Sequence, residues 1–322
     1  MVDPTTQPLP QAPGETPTRY RSTDEDSARW LGFPFRDGDI VISTRSKSGT
    51  TWLQMICALL IFQDSNLPAP LAELSPWLDW LVRPRDEVFA ALAAQRHRRF
   101  IKTHTPLDGI PLDQRAAHIV VGRHPLDMAV SLYHQGSNLD RKRMRQLTGQ
   151  REPEQVPSAR PSLHEWLLDW IERDVLAQDE LDSLPGVLWH LSDAWSRRRA
   201  HHVILVHYQD LSADLAGEMR RLAAQLGITV PQAIWPDLVA AATFEHMRAD
   251  ADRLAPDPAG VLKDRGAFFR RGTSGSGREL LTVDELAHYR HRVSRLAPVD
   301  LLDWLHREDA DVARDRWTFP ES

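Results

Sequence analysis

Four short apolar runs along the chain have the composition of buried β-strands, and longer stretches with helical spacing separate them. The runs are Ile40–Ile42, Phe100–Ile101, Ile119–Val121 and Val203–Val206. The clearest helical stretches are 53–60, 86–96, 163–175, 188–199 and 212–226. Because strands alternate with helices and no tight hairpin signal occurs, the pattern predicts a single α/β domain with a central parallel sheet flanked by helices.

The first strand enters its helix through a short polar loop. Backbone N–H groups and a helix N-terminus point at one place in such a junction, which favours an anion. Gly49 lets the backbone approach a ligand, Lys47 adds a positive charge, and Ser48, Thr50 and Thr51 add hydroxyls. The loop lacks the P-loop spacing, because its lysine precedes its glycine. Many such junctions bind nothing, so the loop alone leaves phosphate binding open.

Charged residues also follow the next two strands, at the point where each strand ends. Lys102 and His104 are two residues apart, so in an extended chain their side chains point to the same side. Arg123 follows the third strand, at the strand end where open α/β sheets bind ligands, and Ser131 lies about two helical turns further on. Each residue alone also fits a solvated or ion-paired side chain. Together they favour a ligand site.

A loop rich in glycine, serine and arginine, residues 265–278, interrupts the helical last third of the chain. It is too polar to be core. It fits either a flexible linker or a clamp in which Arg270 and Arg271 hold a second phosphate.

Composition limits the partners and the chemistry. The 322 residues include 39 basic and 45 acidic ones, a formal charge of −6, so no global positive field favours nucleic acid and any anion site must be local. The single cysteine, Cys57, rules out an intrachain disulfide. The 14 histidines are scattered without metal-ligand spacing, and we therefore predict a metal-free site.

Three segments bear on domain limits and location. Residues 1–20 have no signal-peptide pattern and predict a disordered tail before a domain over residues 21–322. The polar, charged segment 136–160 is expected to be a mobile loop or lid. The longest apolar run, residues 52–62, is interrupted by Gln54 and is too short to span a bilayer. We expect a soluble, cytoplasmic protein.

Taken together, the motifs resemble those of the cytosolic-type sulfotransferases, which use 3′-phosphoadenosine 5′-phosphosulfate (PAPS). The segment 45–52, Arg-Ser-Lys-Ser-Gly-Thr-Thr-Trp, is similar to the family's 5′-phosphosulfate loop, Tyr-Pro-Lys-Ser-Gly-Thr-Thr-Trp, and differs at Arg45 and Ser46. Lys102-Thr103-His104 matches the family's Lys-Thr-His. The motifs stand in family order from about residue 39 to residue 283. The resemblance implies the family's P-loop-like nucleotide-binding fold.

The resemblance also implies which residues bind the nucleotide. Arg123 and Ser131 match the 3′-phosphate residues, and Tyr208 matches the tyrosine that contacts adenine. Arg270-Arg271-Gly272 resembles a late Arg-Lys-Gly of the 3′-phosphate site, although Gly275-Ser276-Gly277 stands where the family has Gly-Asp-Trp. Thr243-Phe244 resembles the family's Thr-Ser-Phe, with Ala242 in place of its first threonine. The full set implied to bind the nucleotide is Lys47, Ser48, Gly49, Thr50, Thr51, Trp52, Arg123, Ser131, Tyr208, Thr243, Phe244, Arg270, Arg271 and Gly272.

The implied reaction is in-line transfer of a sulfuryl group to an acceptor hydroxyl, with adenosine 3′,5′-bisphosphate (PAP) as the second product. His104 would be the general base, since imidazole titrates near neutral pH. Lys47 would neutralise charge on the bridging oxygen, and Lys102 would steady the sulfuryl oxygens.

The acceptor and the assembly are less determined. The segment Arg98–Gly109 resembles the actinobacterial (mycobacterial), glycolipid-directed members of the family, so a glycolipid or other lipidic hydroxyl is the expected acceptor, ahead of a phenol or a small natural-product alcohol. Half of the family's dimer motif is present, with Thr282 and Val283 matching and Ala287 where glutamate is expected, which leaves a homodimer possible.

Two other functions stay open on the sequence. One is a nucleotide kinase with a degenerate P-loop, although Gly122-Arg123 follows the third strand where an acidic magnesium ligand would be needed. The other is a non-catalytic bisphosphate-binding protein of the same fold.

Overall fold

A single parallel sheet, in the order β2-β1-β3-β4, lies at the centre of the computed structural model, which describes residues 16–151 and 160–307. Ile42 of β1 pairs with Lys102 of β2 on one side and with Ile119 of β3 on the other. The predicted strands and parallel sheet are therefore confirmed. The strands are β1 (Ile40–Ser43), β2 (Phe100–Thr103), β3 (Ala117–Gly122) and β4 (Val203–His207).

Helices cover both faces of this sheet. The stretch 212–226, predicted as one helix, is divided at Asp214, whose carboxylate accepts a hydrogen bond of 2.8 Å from Gly217 N–H and starts a new helix. The α-helices of the described residues are α1 (Thr50–Phe62), α2 (Leu71–Leu74), α3 (Arg85–Ala94), α4 (Pro125–Asn138), α5 (Arg141–Thr148), α6 (Leu163–Glu172), α7 (Leu184–Ser196), α8 (Tyr208–Ala213), α9 (Leu215–Gln225), α10 (Trp235–Ala241), α11 (Phe244–Ala249), α12 (Ala251–Leu254), α13 (Val283–Ser294) and α14 (Val299–Leu305).

Alternate residues of each strand face two separate apolar clusters. Ile42 packs in the cluster that contains α1, whereas Val41 packs in the cluster that contains α4, α6 and α7. Because both faces are covered, β1 is buried along its whole length. The chain thus leaves β1 and β3, which are neighbours, toward opposite faces. Open α/β sheets bind ligands at such a switch point.

Two predicted irregular segments contain ordered structure. Within 136–160, α4 continues to Asn138 and α5 packs Met144 and Leu147 near Trp80; residues 152–159 lie outside the described residues. Most of the predicted tail, 1–15, also lies outside them. Tyr20 is buried, and its hydroxyl donates to the Asp108 carboxylate at 2.8 Å, so the packed domain includes residues before 21. In the described part of the chain, no helix combines the length and apolarity needed to cross a bilayer.

Candidate active site

The loop between β1 and α1 has a backbone that only particular residues adopt easily. Lys47 and Gly49 both have left-handed φ values, 63° and 107°. A Cβ atom on Gly49 would lie 3.0 Å from the Tyr208 ring, so glycine is needed here for two reasons. The conformation at Lys47, a non-glycine residue, costs about 1–3 kcal/mol and is typical of ligand-binding loops.

A cavity of about 290 Å³ opens beside this loop and collects most of the predicted site residues. Ser48 does not line it, because its hydroxyl is buried against Met128 Sδ at 3.2 Å. Thr243 does not line it either; it caps α11, and its hydroxyl donates to Ala240 O at 2.8 Å. The predicted residues that do line the cavity are Lys47, Gly49, Thr50, Thr51, Trp52, Lys102, His104, Arg123, Ser131, Tyr208, Phe244, Arg270, Arg271 and Gly272.

Arg123 joins the predicted parts of the nucleotide site. Its Nη1 donates to Lys47 O at 2.8 Å and to Ser131 Oγ at 3.3 Å, and its Nη2 donates to Thr273 O at 3.4 Å. Its guanidinium carbon lies 4.3 Å from the centroid of the Tyr208 ring. One side chain therefore contacts the first loop, α4, the late loop and the tyrosine predicted to contact adenine.

The late loop is anchored by a residue that the sequence analysis missed. Asp127, in the first turn of α4, accepts hydrogen bonds from the N–H groups of Gly275 at 2.7 Å and Gly277 at 2.9 Å. Ser276 Oγ adds a contact of 3.3 Å to the same carboxylate. An acidic residue in a first helical turn is expected for helix-dipole reasons alone. Its sequence position therefore does not reveal this long-range contact.

Several of the predicted nucleotide-binding residues in the cavity wall are cations without carboxylate partners in the described part of the chain. Among residues 16–151 and 160–307, Lys47, Arg123, Arg270 and Arg271 form no ion pair. Burial, with the nearby charges of Arg123, Lys102 and Arg270, lowers the pKa of Lys47 to about 7. Its Nζ lies 3.8 Å from the centroid of the Phe268 ring, another contact that the sequence did not indicate. Unneutralised cations brought together in this way favour an anionic ligand.

His104 is held in the tautomer that a general base requires. Its Nδ1 makes a short hydrogen bond with Thr44 O, and since a carbonyl only accepts, Nδ1 carries the proton. Nε2 then has a free lone pair and has no partner among the described residues, and His104 lines the cavity. Burial, together with the charges of Lys102 and Arg45, lowers the pKa of His104 well below 6.5. The ring is therefore neutral at pH 7.

Lys102 lies beside His104 at the end of β2. It is 5% exposed, and its Nζ lies 3.8 Å from the centroid of the Trp77 ring. Burial lowers its pKa to about 8. The same strand end is braced by Asp79, whose carboxylate accepts short hydrogen bonds from Thr103 and Thr105. Asp79 is fully buried and, like Asp127, gave no local signal.

Arg45, which replaces the family's tyrosine, contacts the histidine segment directly. It is 4% exposed. Its Nη1 makes a short hydrogen bond to the His104 carbonyl, and its Nη2 forms an ion pair of 2.6 Å with Asp182 Oδ1. Ser46, the second departure from the family pattern, lines the cavity.

The remaining cavity wall is partly acidic and partly apolar. The Trp77 and Trp80 rings stack with centroids 4.9 Å apart, and the Trp77 ring lies edge-to-face with His104 at 4.6 Å. The other wall residues not predicted from the nucleotide motifs are Asp24, Glu25, Ser46, His134, Gln135, Leu139, Met144, Asp182, Met247, Pro256, Val261, Leu262, Ala267, Phe268, Phe269 and Thr273.

Known proteins resemble the chain over most of its length. A family model described as "Sulfotransferase domain" matches residues 37–297. The glycolipid sulfotransferase of Mycobacterium bovis (strain BCG / Pasteur 1173P2) is 43% identical over 305 residues, covering 89% of this chain and 93% of that protein. The glycolipid sulfotransferase of Mycobacterium tuberculosis (strain ATCC 25618 / H37Rv) is 43% identical over 304 residues, with the same coverage. The crystal structure of mouse sulfotransferase SULT7A1 complexed with PAP is 20% identical, has a TM-score of 0.66, and covers 88% of this chain and 93% of that one.

Proposed function

Because the chain belongs to the sulfotransferase family and is a sulfotransferase, we propose that its donor is PAPS and that its acceptor is a glycolipid hydroxyl. The donor proposal is carried by one observation above all: several cations that form no ion pair among the described residues line one cavity. Lys47 lies in the first loop, Arg270 lies in the late loop, and Arg123 contacts both loops. A nucleotide with separate 5′- and 3′-anionic groups would neutralise these cations. The solved relative from mouse holds PAP.

The side-chain geometry supports a division of roles. Nε2 of His104 accepts the proton of the acceptor hydroxyl as the new O–S bond forms and the bridging S–O bond breaks. Lys47 neutralises the charge left on the departing phosphate oxygen, and Lys102 contacts the sulfuryl oxygens. Arg123, with Ser131 and Arg270, holds the 3′-phosphate. We expect no metal to be needed, because these cations already stabilise the developing charge; this stays a prediction.

The acceptor proposal rests on the mycobacterial relatives and on the cavity wall. Both relatives are named glycolipid sulfotransferases, and together they match nearly the whole length of the chain. Apolar residues such as Trp77, Met144 and Leu262 line the cavity and would contact a lipid-bearing acceptor. A cytoplasmic location and a homodimer stay predictions; Val283 of the half motif is 84% exposed.

The test is transfer of labelled sulfate from PAPS to a glycolipid by the wild-type protein and by His104→Ala. We expect the variant to lose transfer by at least about 10²-fold while its affinity for PAP stays the same, because the ring acts on the acceptor proton. Near-wild-type turnover by His104→Ala would refute the assignment. PAP binding without transfer to any glycolipid or alcohol would favour a non-catalytic protein, and stronger thermal stabilisation by ATP-Mg than by PAP would favour a kinase.

A further inference from the structure

A glutamate that no nucleotide motif includes, Glu25, lines the same cavity as the proposed base and lies near Lys102 and Arg45. Backbone pairing places it there: Asp26 N–H donates to Asp79 O at 3.0 Å, Leu81 N–H donates to Asp24 O at 2.8 Å, and Glu25 forms an antiparallel bridge with Trp80. The 77–81 segment in turn contacts β2, since Leu78 N–H donates to Lys102 O at 3.2 Å. Glu25 is thus attached through two layers of backbone hydrogen bonds to the strand end that carries His104.

The Glu25 carboxyl group has no partner of its own. It lines the cavity, and in the described part of the chain its side chain makes no hydrogen bond or ion pair. Its nearest cations are already engaged, because Arg45 binds Asp182 and the His104 carbonyl while Lys102 lies over the Trp77 ring. Burial accordingly raises the pKa of Glu25 to about 8. Glu25 is half-buried and lines the cavity, so its carboxyl group is available to a ligand there.

Two further carboxylates lie on the same wall. Asp24 and Asp182 both line the cavity, and Asp182 remains 38% exposed although it pairs with Arg45. Glu25, whose pKa of about 8 keeps it protonated at pH 7, adds a neutral carboxyl group that can donate one hydrogen bond and accept another. This part of the wall therefore suits a ligand that brings several hydroxyl groups.

We infer that Glu25 selects acceptors with several hydroxyl groups, by accepting a hydrogen bond from a sugar hydroxyl next to the one that is sulfated. The inference rests on the proposed function and specifies its acceptor: the sugar of a glycolipid enters the acidic part of the cavity, and the lipid lies along the apolar wall. An alcohol with a single hydroxyl would leave Glu25 unpaired. Sites built to bind a substrate hydroxyl reject analogues that lack it.

The test compares two acceptors that share one alkyl chain, octyl β-glucoside and 1-octanol, with labelled PAPS. We expect wild-type kcat/KM to favour the glucoside by at least about tenfold. Glu25→Leu should lower the glucoside-to-octanol ratio of kcat/KM by at least about tenfold, and Glu25→Gln, which keeps an accepting oxygen, should restore part of it. Glu87→Leu, at an exposed position on α3, is the control for an added leucine.

Three results would count against the inference. Equal use of both acceptors by the wild type would overturn it, as would a Glu25→Leu protein that loses activity equally toward both. In those cases transfer itself persists and the proposed function stands. Absence of transfer to either acceptor, with PAP still bound, would instead overturn the proposed function and the inference with it.

Discussion

Replacing Arg45 tests whether this residue positions His104, the proposed general base. Arg45→Met keeps the length of the side chain but removes the donors to the His104 carbonyl and to Asp182. A buried carbonyl left without its donor costs about 1–3 kcal/mol. The lost ion pair adds at most about 1 kcal/mol, because the Asp182 side chain is 38% exposed and solvent screens it.

We expect this change to act on kcat more than on donor binding. A displacement of about 1 Å at a catalytic group can reduce the rate about 10²-fold, so kcat should fall about 10- to 100-fold while the Kd for PAP changes little. Arg45→Lys, which cannot reach both partners with one ammonium, should fall in between. Asp182→Asn should have a smaller effect than Arg45→Met, since it leaves the contact with the His104 carbonyl in place.

The pH profile separates positioning from general destabilisation. The Arg45 charge helps to lower the pKa of His104, so its removal should raise that pKa and shift the acid limb of kcat to higher pH. The midpoint of the acid limb should still lie below pH 6.5, because burial lowers the pKa of His104 more than the Arg45 charge does. Steady-state kinetics at several pH values, with thermal unfolding as the folding check, measure both effects. A folded Arg45→Met protein with wild-type kcat and an unshifted acid limb would refute the reasoning.

Three other changes test the proposed nucleotide site. PAP binding at pH 8 should take up about one proton, because Lys47 has a pKa of about 7 without a bound anion; calorimetry in two buffers should show less uptake for Lys47→Arg, and equal uptake would contradict this account. Asp127→Asn should weaken PAP binding about tenfold and leave adenosine 5′-phosphate binding nearly unchanged, as measured by titration; equal losses would argue against a role confined to the late loop. Gly49→Ala should weaken PAP binding about 10- to 100-fold, whereas Gly227→Ala, which also has a positive φ but no contact within 4 Å, should lower only the melting temperature.

Local patterns in the sequence predicted the buried strands and the site residues that follow them. A run such as Ile119–Val121, apolar on both faces, can only be a covered strand in this context, and the carboxyl ends of parallel strands meet at one edge of the sheet. The site residues that follow those strands were therefore predictable. The helix break at Asp214 was not, because the residues around it are good helix formers and the break depends on one side-chain cap.

Most of the contacts missed by the sequence analysis join residues that are far apart in the chain. Asp127 contacts a loop almost 150 positions further on, and Arg45 pairs with Asp182, 137 positions away. Glu25 reaches the cavity only because its segment pairs with residues 79–81. None of these contacts changes periodicity or turn chemistry at either end. The resemblance to a family did not predict the contacts of Arg45 either, because a departure from a motif gives no information about what replaces the lost contact.

The charges of the cavity suggest how it keeps its two ligands apart. In the described part of the chain, Lys47 and Arg270 line the cavity without an ion pair, whereas Asp182 pairs with Arg45. Glu25 is neutral at pH 7, because its pKa is about 8. The proposed anionic donor is therefore attracted to Lys47 and Arg270, and the neutral carboxyl group of Glu25 is left for the hydroxyl groups of the proposed acceptor. His104 lines the same cavity, and its neutral ring is suited to meet the acceptor hydroxyl without attracting the nucleotide.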